Sequence, residues 1–472
     1  MVFSSIPFLY YFLPAVLLLY LIAPKKLKNT VLLISSLFFY GWGEPRLLIM
    51  ILASIFAGYI FGLLIDRFNN TKRWLARIFL ILSVSSSLLT LGYFKYADFL
   101  ISSFNSVFGL SIPLLKIALP IGISFYTFQI LSYTVDVYRH DAPVQKSFFK
   151  LATYIAMFPQ LIAGPIVRYT TIAEQLDERT HSFEYTALGI RRFIIGLSKK
   201  VLLANTLGEV CSGFATTSSP SVLYTWLYAI TFTLQTYFDF SGYSDMAIGL
   251  GKMFGFDFLE NFNYPFISAS ITDFWRRWHI SLGTWFRDYV YIPLGGNRVK
   301  LPRYLLNIFI VWALTGLWHG ASWNFVLWGV YFGILLIIEK LFIYKHLEKT
   351  KGFLRIINHI YVFIFVLMSF VLFNAENIPA AITQIGTMFG FTSLPFATEE
   401  TIYTLRNFGV LLALGVIAST PFAKNTLSKL REKSIFEKII NVLEPIVLLL
   451  LLLAVTAYLV DGSFNPFLYF RF

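Results

Sequence analysis

YLLNIFIVWALTGLWHGASWNFVLWGVYFGILLII (Tyr304–Ile338) runs for thirty-five residues without an Asp, Glu, Lys or Arg, and His319 stands near its middle. A bilayer-spanning helix takes about 20 apolar residues, so the run is too long for one span. Basic residues flank it on both sides, at Arg298–Arg303 and Lys345–Arg355. Gly316, Gly320 and Ser322 supply a break, and a first arm of Tyr304–Thr315 would rise only about 18 Å. The expectation is a broken, re-entrant pair of helices with both ends on one side of a membrane and His319 deep at the break. Irregular backbone at that depth is tolerated only inside protein or beside a watery cavity. An ionisable residue there is a functional candidate because its burial is costly. The other reading is a core histidine bonded to a neighbouring carbonyl.

The rest of the chain agrees with that solvent. Of 472 residues, 57% are hydrophobic, 18% aromatic and only 13% charged. A soluble domain carries about 25% charge, and a disordered chain needs low hydrophobicity with high charge, so both are excluded. Further solid apolar runs occur at Ile6–Ala23, Leu47–Ile65 and Ile440–Val460. They lack the alternating segments of about 10 residues that an outer-membrane barrel would show. Ile6–Ala23 has neither a basic flank before it nor a small-residue cleavage site, and reads as a retained helix. A lone cysteine, Cys211, excludes an intramolecular disulfide and a Cys-based metal site. The net charge of +13 sits in short loops between apolar runs. This is the pattern of membrane topology, and no nucleic acid is implied.

Basic residues collect in cytoplasmic loops. Lys25, Lys26 and Lys28 then put the first loop inside and the N-terminus outside, and Thr30–Trp42 with Leu47–Ile65 forms a hairpin back to Arg67, Lys72 and Arg73. Arg139–Lys150, Arg298–Arg303, Lys345–Arg355 and Lys424–Lys438 are further inside loops, whereas Asn374–Thr404 holds no Lys or Arg and belongs outside. Asp461–Phe472 follows one more span and is also outside. Two ends outside require an even number of crossings, roughly ten to twelve by length per span. With no internal repeat and no soluble segment, the chain reads as a single domain, 1–472, ending in an extracytoplasmic tail, 461–472.

Two other stretches carry chemistry. TDFWRRWHISLGTWFRDYVYI (Thr272–Ile292) sorts at 100° per residue into an aromatic side (Phe274, Trp275, Trp278, Leu282, Trp285, Phe286, Tyr289) and a polar side (Asp273, Arg276, Arg277, Ser281, Arg287, Asp288). It reads as one helix lying in the membrane interface, with His279 on the seam. Arginines snorkelling to headgroups explain the polar side but leave the histidine unexplained. In YFDFSGYSD (Tyr237–Asp245), Asp239 and Asp245 interrupt an apolar region and either line a wet cavity or pair with arginines. No P-loop, dinucleotide fingerprint or zinc-protease pattern occurs.

Five stretches, taken together, resemble the membrane-bound O-acyltransferase family, and within it the bacterial alginate and peptidoglycan O-acetyltransferases: FYTFQILSYTVDVYR (Phe125–Arg139), FPQLIAGPIVRY (Phe158–Tyr169), YFDFSGYSDMAIGLGKMFGF (Tyr237–Phe256), NFNYPFISASITDFWRRWHISLGTWFRDYVYIPLGGNR (Asn261–Arg298) and LTGLWHGASWNFVLWG (Leu314–Gly329). The resemblance implies an all-α polytopic protein in a bacterial cell membrane, a ring of tilted helices around a central funnel. It makes His319 the buried family histidine and His279 the second. An imidazole with an ordinary pKa near 6.5 is suited to take a proton from an attacking hydroxyl. Trp318, Asn324 or backbone N–H groups near Gly320 are candidate donors to the oxyanion. Asp239, Asp245 and Asn324 are expected to line the funnel, and Arg276, Arg277, Arg298 and Lys300 to receive the phosphates of a cytosolic donor.

The ending FLYFRF (Phe467–Phe472) resembles the F-x-Y-x-x-F ending of this branch, matched by Phe467, Tyr469 and Phe472. It implies Tyr469 as an acyl relay on the outer face; the alternative is an aromatic interface anchor. The implied activity is transfer of acetyl from a cytosolic thioester, acetyl-CoA, to an exported cell-surface polysaccharide, with no bound cofactor or metal. The chain has no esterase-like G-x-S-x-G nucleophile, so an extracytoplasmic serine acetyltransferase partner is implied. Transfer of D-alanyl or another short acyl group is the neighbouring reading. A glycan or lipid transporter is the reading from another class, opposed by the lack of paired broken helices in two halves.

Overall fold

The computed structural model describes residues 1–43 and 45–462, and among them helix is the regular structure throughout, with no strand. The chain is an all-α, multi-pass membrane protein. Seven helices among the described residues are long and apolar enough to cross a bilayer: Pro45–Asn69, Arg73–Phe108, Leu301–His319, Trp323–Lys349, Gly352–Asn374, Glu399–Ala418 and Ser434–Val460. Other apolar helices fall short of that length, such as Leu13–Ile22 behind the π-turn Phe8–Phe12, and Lys28–Gly43.

The described residues gather into two compact units. The first joins Met1–Phe193 to Ser244–Leu259. In it α1 (Leu48–Asn69), α2 (Arg73–Leu91) and α3 (Ile123–Arg139) pack together. α1 presents Gly58 and Gly62 to Ile130 and Tyr133 of α3, where a Cβ at Gly62 would lie 2.8 Å from the Tyr133 ring. Small residues permit such close approach where no hydrophobic force drives apolar helices together. Gly189 of α4 (Phe183–Ser198) meets the backbone of Gly249, in α5 (Val222–Met253), in the same way.

The second unit joins Ile194–Tyr243 to Glu260–Phe472. It contains the short helices α6 (Ile271–Arg277) and α7 (Ile280–Phe286), the hairpin of α8 (Leu301–His319) and α9 (Trp323–Ile338), then α10 (Arg355–Asn374), α11 (Glu399–Ala418) and α12 (Ser434–Val460). Its core is aromatic: Phe232, Phe238, Phe274, Trp278, Trp328, Phe332 and Phe370 are buried in one cluster.

Two local expectations change. α8 does not stop at Thr315; it runs through Gly316 to His319, 19 residues or about 28 Å. Gly316 is a packing position: its missing Cβ would fall 2.1 Å from the Phe325 carbonyl oxygen of α9, and Gly329 answers it against Trp312. The break comes at Gly320–Ser322, where the Ser322 side chain accepts from the Asn324 N–H to start α9. The segment Thr272–Ile292 is also not one helix. It breaks at Trp278, which is extended, and His279, whose φ of 45° lies in the left-handed region. Neither periodicity nor propensity reports such a break, because it is held from outside the segment.

Candidate active site

That hold is a two-rung backbone contact. The Asn263 N–H donates to the Arg277 carbonyl (2.9 Å) and the Ile280 N–H to the Asn261 carbonyl (3.0 Å), on either side of the break. A non-glycine residue in the left-handed region costs about 1–2 kcal/mol, which these bonds offset. The consequence is that His279, only 1% exposed, leaves the seam of an interfacial helix and enters the core.

Its proton is placed by chemistry. Asn261 Oδ1 accepts from the Ser281 backbone N–H (3.2 Å) and from Ser281 Oγ (2.8 Å), and lies 3.1 Å from His279 Nδ1. A backbone N–H can only donate, so the side-chain atom facing it is the amide oxygen, which can only accept. Nδ1 of His279 therefore carries hydrogen and Nε2 holds the lone pair. Nε2 is buried without a hydrogen-bond partner among the described residues. Burial, and then the neighbouring His319, hold the imidazole well below its ordinary pKa, so the ring is neutral near pH 7.

His319 ends α8 and is 8% exposed, with its ring centroid 6.4 Å from that of His279. Trp318 packs on both, at 5.7 Å and 5.0 Å. Phe240 meets His279 edge-on at 4.6 Å; Trp328 and Phe373 meet His319 at 4.9 Å and 5.6 Å. The two imidazoles thus share an aromatic box in the second unit, where low polarity strengthens any electrostatic contact with a reacting group.

Asp239 forms a buried ion pair with Lys200, both side chains below 5% exposed. Asp245, in the first unit, pairs with Arg192 at 2.8 Å. Asn324 Nδ2 donates to the Ala375 carbonyl at 2.6 Å, which commits that group to joining α9 to the end of α10. Arg277 bonds Asp273 at 2.9 Å and reaches the Asn263 carbonyl at 3.3 Å. Arg276, Arg298 and Lys300 are exposed. Tyr469, with Phe467 and Phe472, lies outside the described residues.

Sequence reading missed two residues. Asn261, 0% exposed, stands eighteen positions from His279 and has no local pattern to mark it. Glu339, also 0% exposed, is the first charge after the uncharged run. Its carboxylate accepts from the Ile271 N–H, the Thr272 N–H (2.9 Å) and Thr272 Oγ (2.7 Å), capping the helix that leads to His279.

The second unit of this multi-pass helical protein thus holds two buried imidazoles, that of His279 neutral and oriented, in an aromatic box. Residues 139–381 match the family described as MBOAT, membrane-bound O-acyltransferase; the chain belongs to this family and is an acyltransferase. It is 39% identical to a "Probable alginate O-acetylase" of Azotobacter vinelandii over the full length of both chains. It is 34% identical to a peptidoglycan O-acetyltransferase of Helicobacter pylori, covering 84% of this chain and 81% of that one. With a teichoic acid D-alanyltransferase of Bacillus subtilis it shares 28% identity over 54% of this chain and 69% of that one.

Proposed function

We propose that this protein moves acetyl from a cytosolic thioester donor, acetyl-CoA, across the cell membrane for O-acetylation of an exported polysaccharide of the alginate or peptidoglycan kind. The observation that carries the reading is the His279–His319 pair with the lone pair of His279 Nε2 turned into the box. In the proposed step a hydroxyl gives its proton to an imidazole and its oxygen attacks the thioester carbonyl. The C–S bond then breaks, and the departing thiolate takes the proton back from the imidazolium. The Trp318 indole and backbone N–H groups near Gly320 are the proposed oxyanion donors. Arg276, Arg298 and Lys300, all exposed, with Arg277 beside them in sequence, are proposed to hold the donor's phosphates.

Tyr469 is proposed to take the acetyl on its hydroxyl and hand it to an extracytoplasmic serine acetyltransferase partner, with both chain termini outside. Two observations favour acetyl over D-alanyl: the acetyltransferase relatives match more of the chain, and at higher identity.

The test is reconstitution of the full chain with labelled acetyl-CoA. His319→Ala is expected to lower thioester turnover by 10²-fold or more, within the range that acid–base groups contribute. Tyr469→Phe is expected to abolish acetylation of the polysaccharide in cells while leaving the protein in the membrane. Turnover unchanged in His319→Ala overturns the catalytic assignment, and full polymer acetylation in Tyr469→Phe overturns the relay.

A further inference from the structure

The first unit gathers cations that no described carboxylate neutralises. Tyr20, 0% exposed at the end of Leu13–Ile22, donates its hydroxyl hydrogen to the Phe254 carbonyl at 2.7 Å. His181 Nε2 lies 2.9 Å from the Tyr20 hydroxyl oxygen. Because the tyrosine hydrogen is already used, this histidine nitrogen is the donor. Lys28 Nζ stands 4.5 Å from the centre of the Tyr20 ring, and the Arg179 guanidinium 5.9 Å from it and 4.4 Å from the Phe256 ring.

Three separate chain segments are brought together to do this. Asn29 Nδ2 ties the Lys25–Lys28 turn to the Leu176 carbonyl at 2.8 Å. Gly255, at φ 82°, lets the 179–181 strap lie against it: a Cβ there would meet Thr180, Arg179 and His181 at 3.2–3.3 Å. Lys25, Lys28 and Arg179 have no carboxylate within ion-pair distance among the described residues. Arg179 Nη1 is buried with no hydrogen-bond partner among the described residues. Burial, followed by Arg179 and Lys25, holds the Lys28 ammonium below its ordinary pKa; burial, followed by Lys28 and Arg179, does the same to His181.

Cation–π contacts offset part of this repulsion, about 0.5–1 kcal/mol each at partly exposed sites. They do not supply an acceptor for a buried guanidinium N–H. A phosphate group would: it brings charge to neutralise the lysines and oxygens to take the arginine fork.

We propose that Lys25, Lys28 and Arg179 form a binding site for a phosphate-bearing anion, floored by Tyr20, His181 and Gly255. A soluble phosphate compound and a phospholipid headgroup share this chemistry. The site is independent of the histidine pair and of the acyl-transfer reading.

The experiment measures thermal unfolding of the purified full chain in two arms. One adds sodium pyrophosphate in neutral detergent, against sodium chloride at equal ionic strength. The other compares nanodiscs of phosphatidylglycerol with nanodiscs of phosphatidylcholine. A ligand that binds the folded state raises its stability in proportion to its saturation. Wild type is expected to gain stability in at least one arm, and the arm that responds identifies the source of the phosphate. Lys28→Gln is expected to need about tenfold more anion for the same gain, while its anion-free melting temperature equals or exceeds wild type because a like-charge contact is relieved. Arg179→Gln, at the buried position, should lose the response altogether. No gain for wild type in either arm, or a Lys28→Gln response equal to wild type, overturns the proposal.

Discussion

Asn261 decides which nitrogen of His279 is free to accept a proton. Removing its amide oxygen leaves the Nδ1 hydrogen and the Ser281 N–H without their buried acceptor, which costs about 1–3 kcal/mol for each such group. Asn261→Ala is therefore expected to lower the unfolding temperature and to reduce acyl-transfer kcat by about 10²-fold. Asn261→Asp separates orientation from shape. An adjacent carboxylate favours the imidazolium and raises the pKa of His279, whereas burial and His319 hold the wild-type ring below 6.5. A base must be neutral to act, so activity is lost as pH falls through the pKa. The acidic limb of the wild-type profile should then lie below pH 6.5, and that of Asn261→Asp should move upward. Rate–pH profiles of the two purified proteins check this; identical acidic limbs would remove His279 as the titrating base.

The helical elements show what the sequence carries and what it does not. The apolar runs at Leu47–Ile65 and Ile440–Val460 emerge as Leu48–Asn69 and Ser434–Val460, because a span is defined by composition that each residue supplies locally. His319 is legible for the same reason: it is the one histidine in a long run without Asp, Glu, Lys or Arg. The burial of His279 is not legible, since it depends on Asn261 and Asn263 bonding across to residues 277–281, and no helical period contains that information. Gly316 misleads for a related cause. A glycine reads as a breaker from its own conformational freedom, yet here it serves the facing helix. Gly316→Ala would push a Cβ to 2.1 Å from the Phe325 carbonyl oxygen, separating α8 from α9 at a cost of about 1–3 kcal/mol or more. Gly409 on α11 has nothing within 4 Å of the same position, and Gly409→Ala should stabilise by up to about 1 kcal/mol. Paired melting curves in one detergent test the contrast, and a Gly316→Ala protein as stable as wild type would show that the hairpin is not closed through that contact.

At the scale of the whole molecule, the spans make the sidedness of the chain a question of parity. One candidate span, Gly352–Asn374, lies between the basic stretch 345–355 and Ser393; one, Glu399–Ala418, lies between Ser393 and Lys429; and Ser434–Val460 follows. If each crosses once, Ser393 faces the side opposite to Lys429 whatever the charges say. The charges then choose which side is which: 374–404 has no Lys or Arg, while 424–438 is rich in both, so Ser393 is expected outside. The single native cysteine makes this measurable. Cys211 is half-buried, and burial pushes its thiol pKa up, so little thiolate is present to react. In cells carrying Ser393→Cys, a membrane-impermeant maleimide is expected to label the intact cell. Lys26→Cys and Lys429→Cys, both at exposed positions, should label only after permeabilisation. Labelling of all three from one side would break the parity and with it the single crossing of Glu399–Ala418. The mirror-image result would keep the parity and invert the chain, placing both basic loops outside and denying a cytosolic donor the face that the proposed transfer requires.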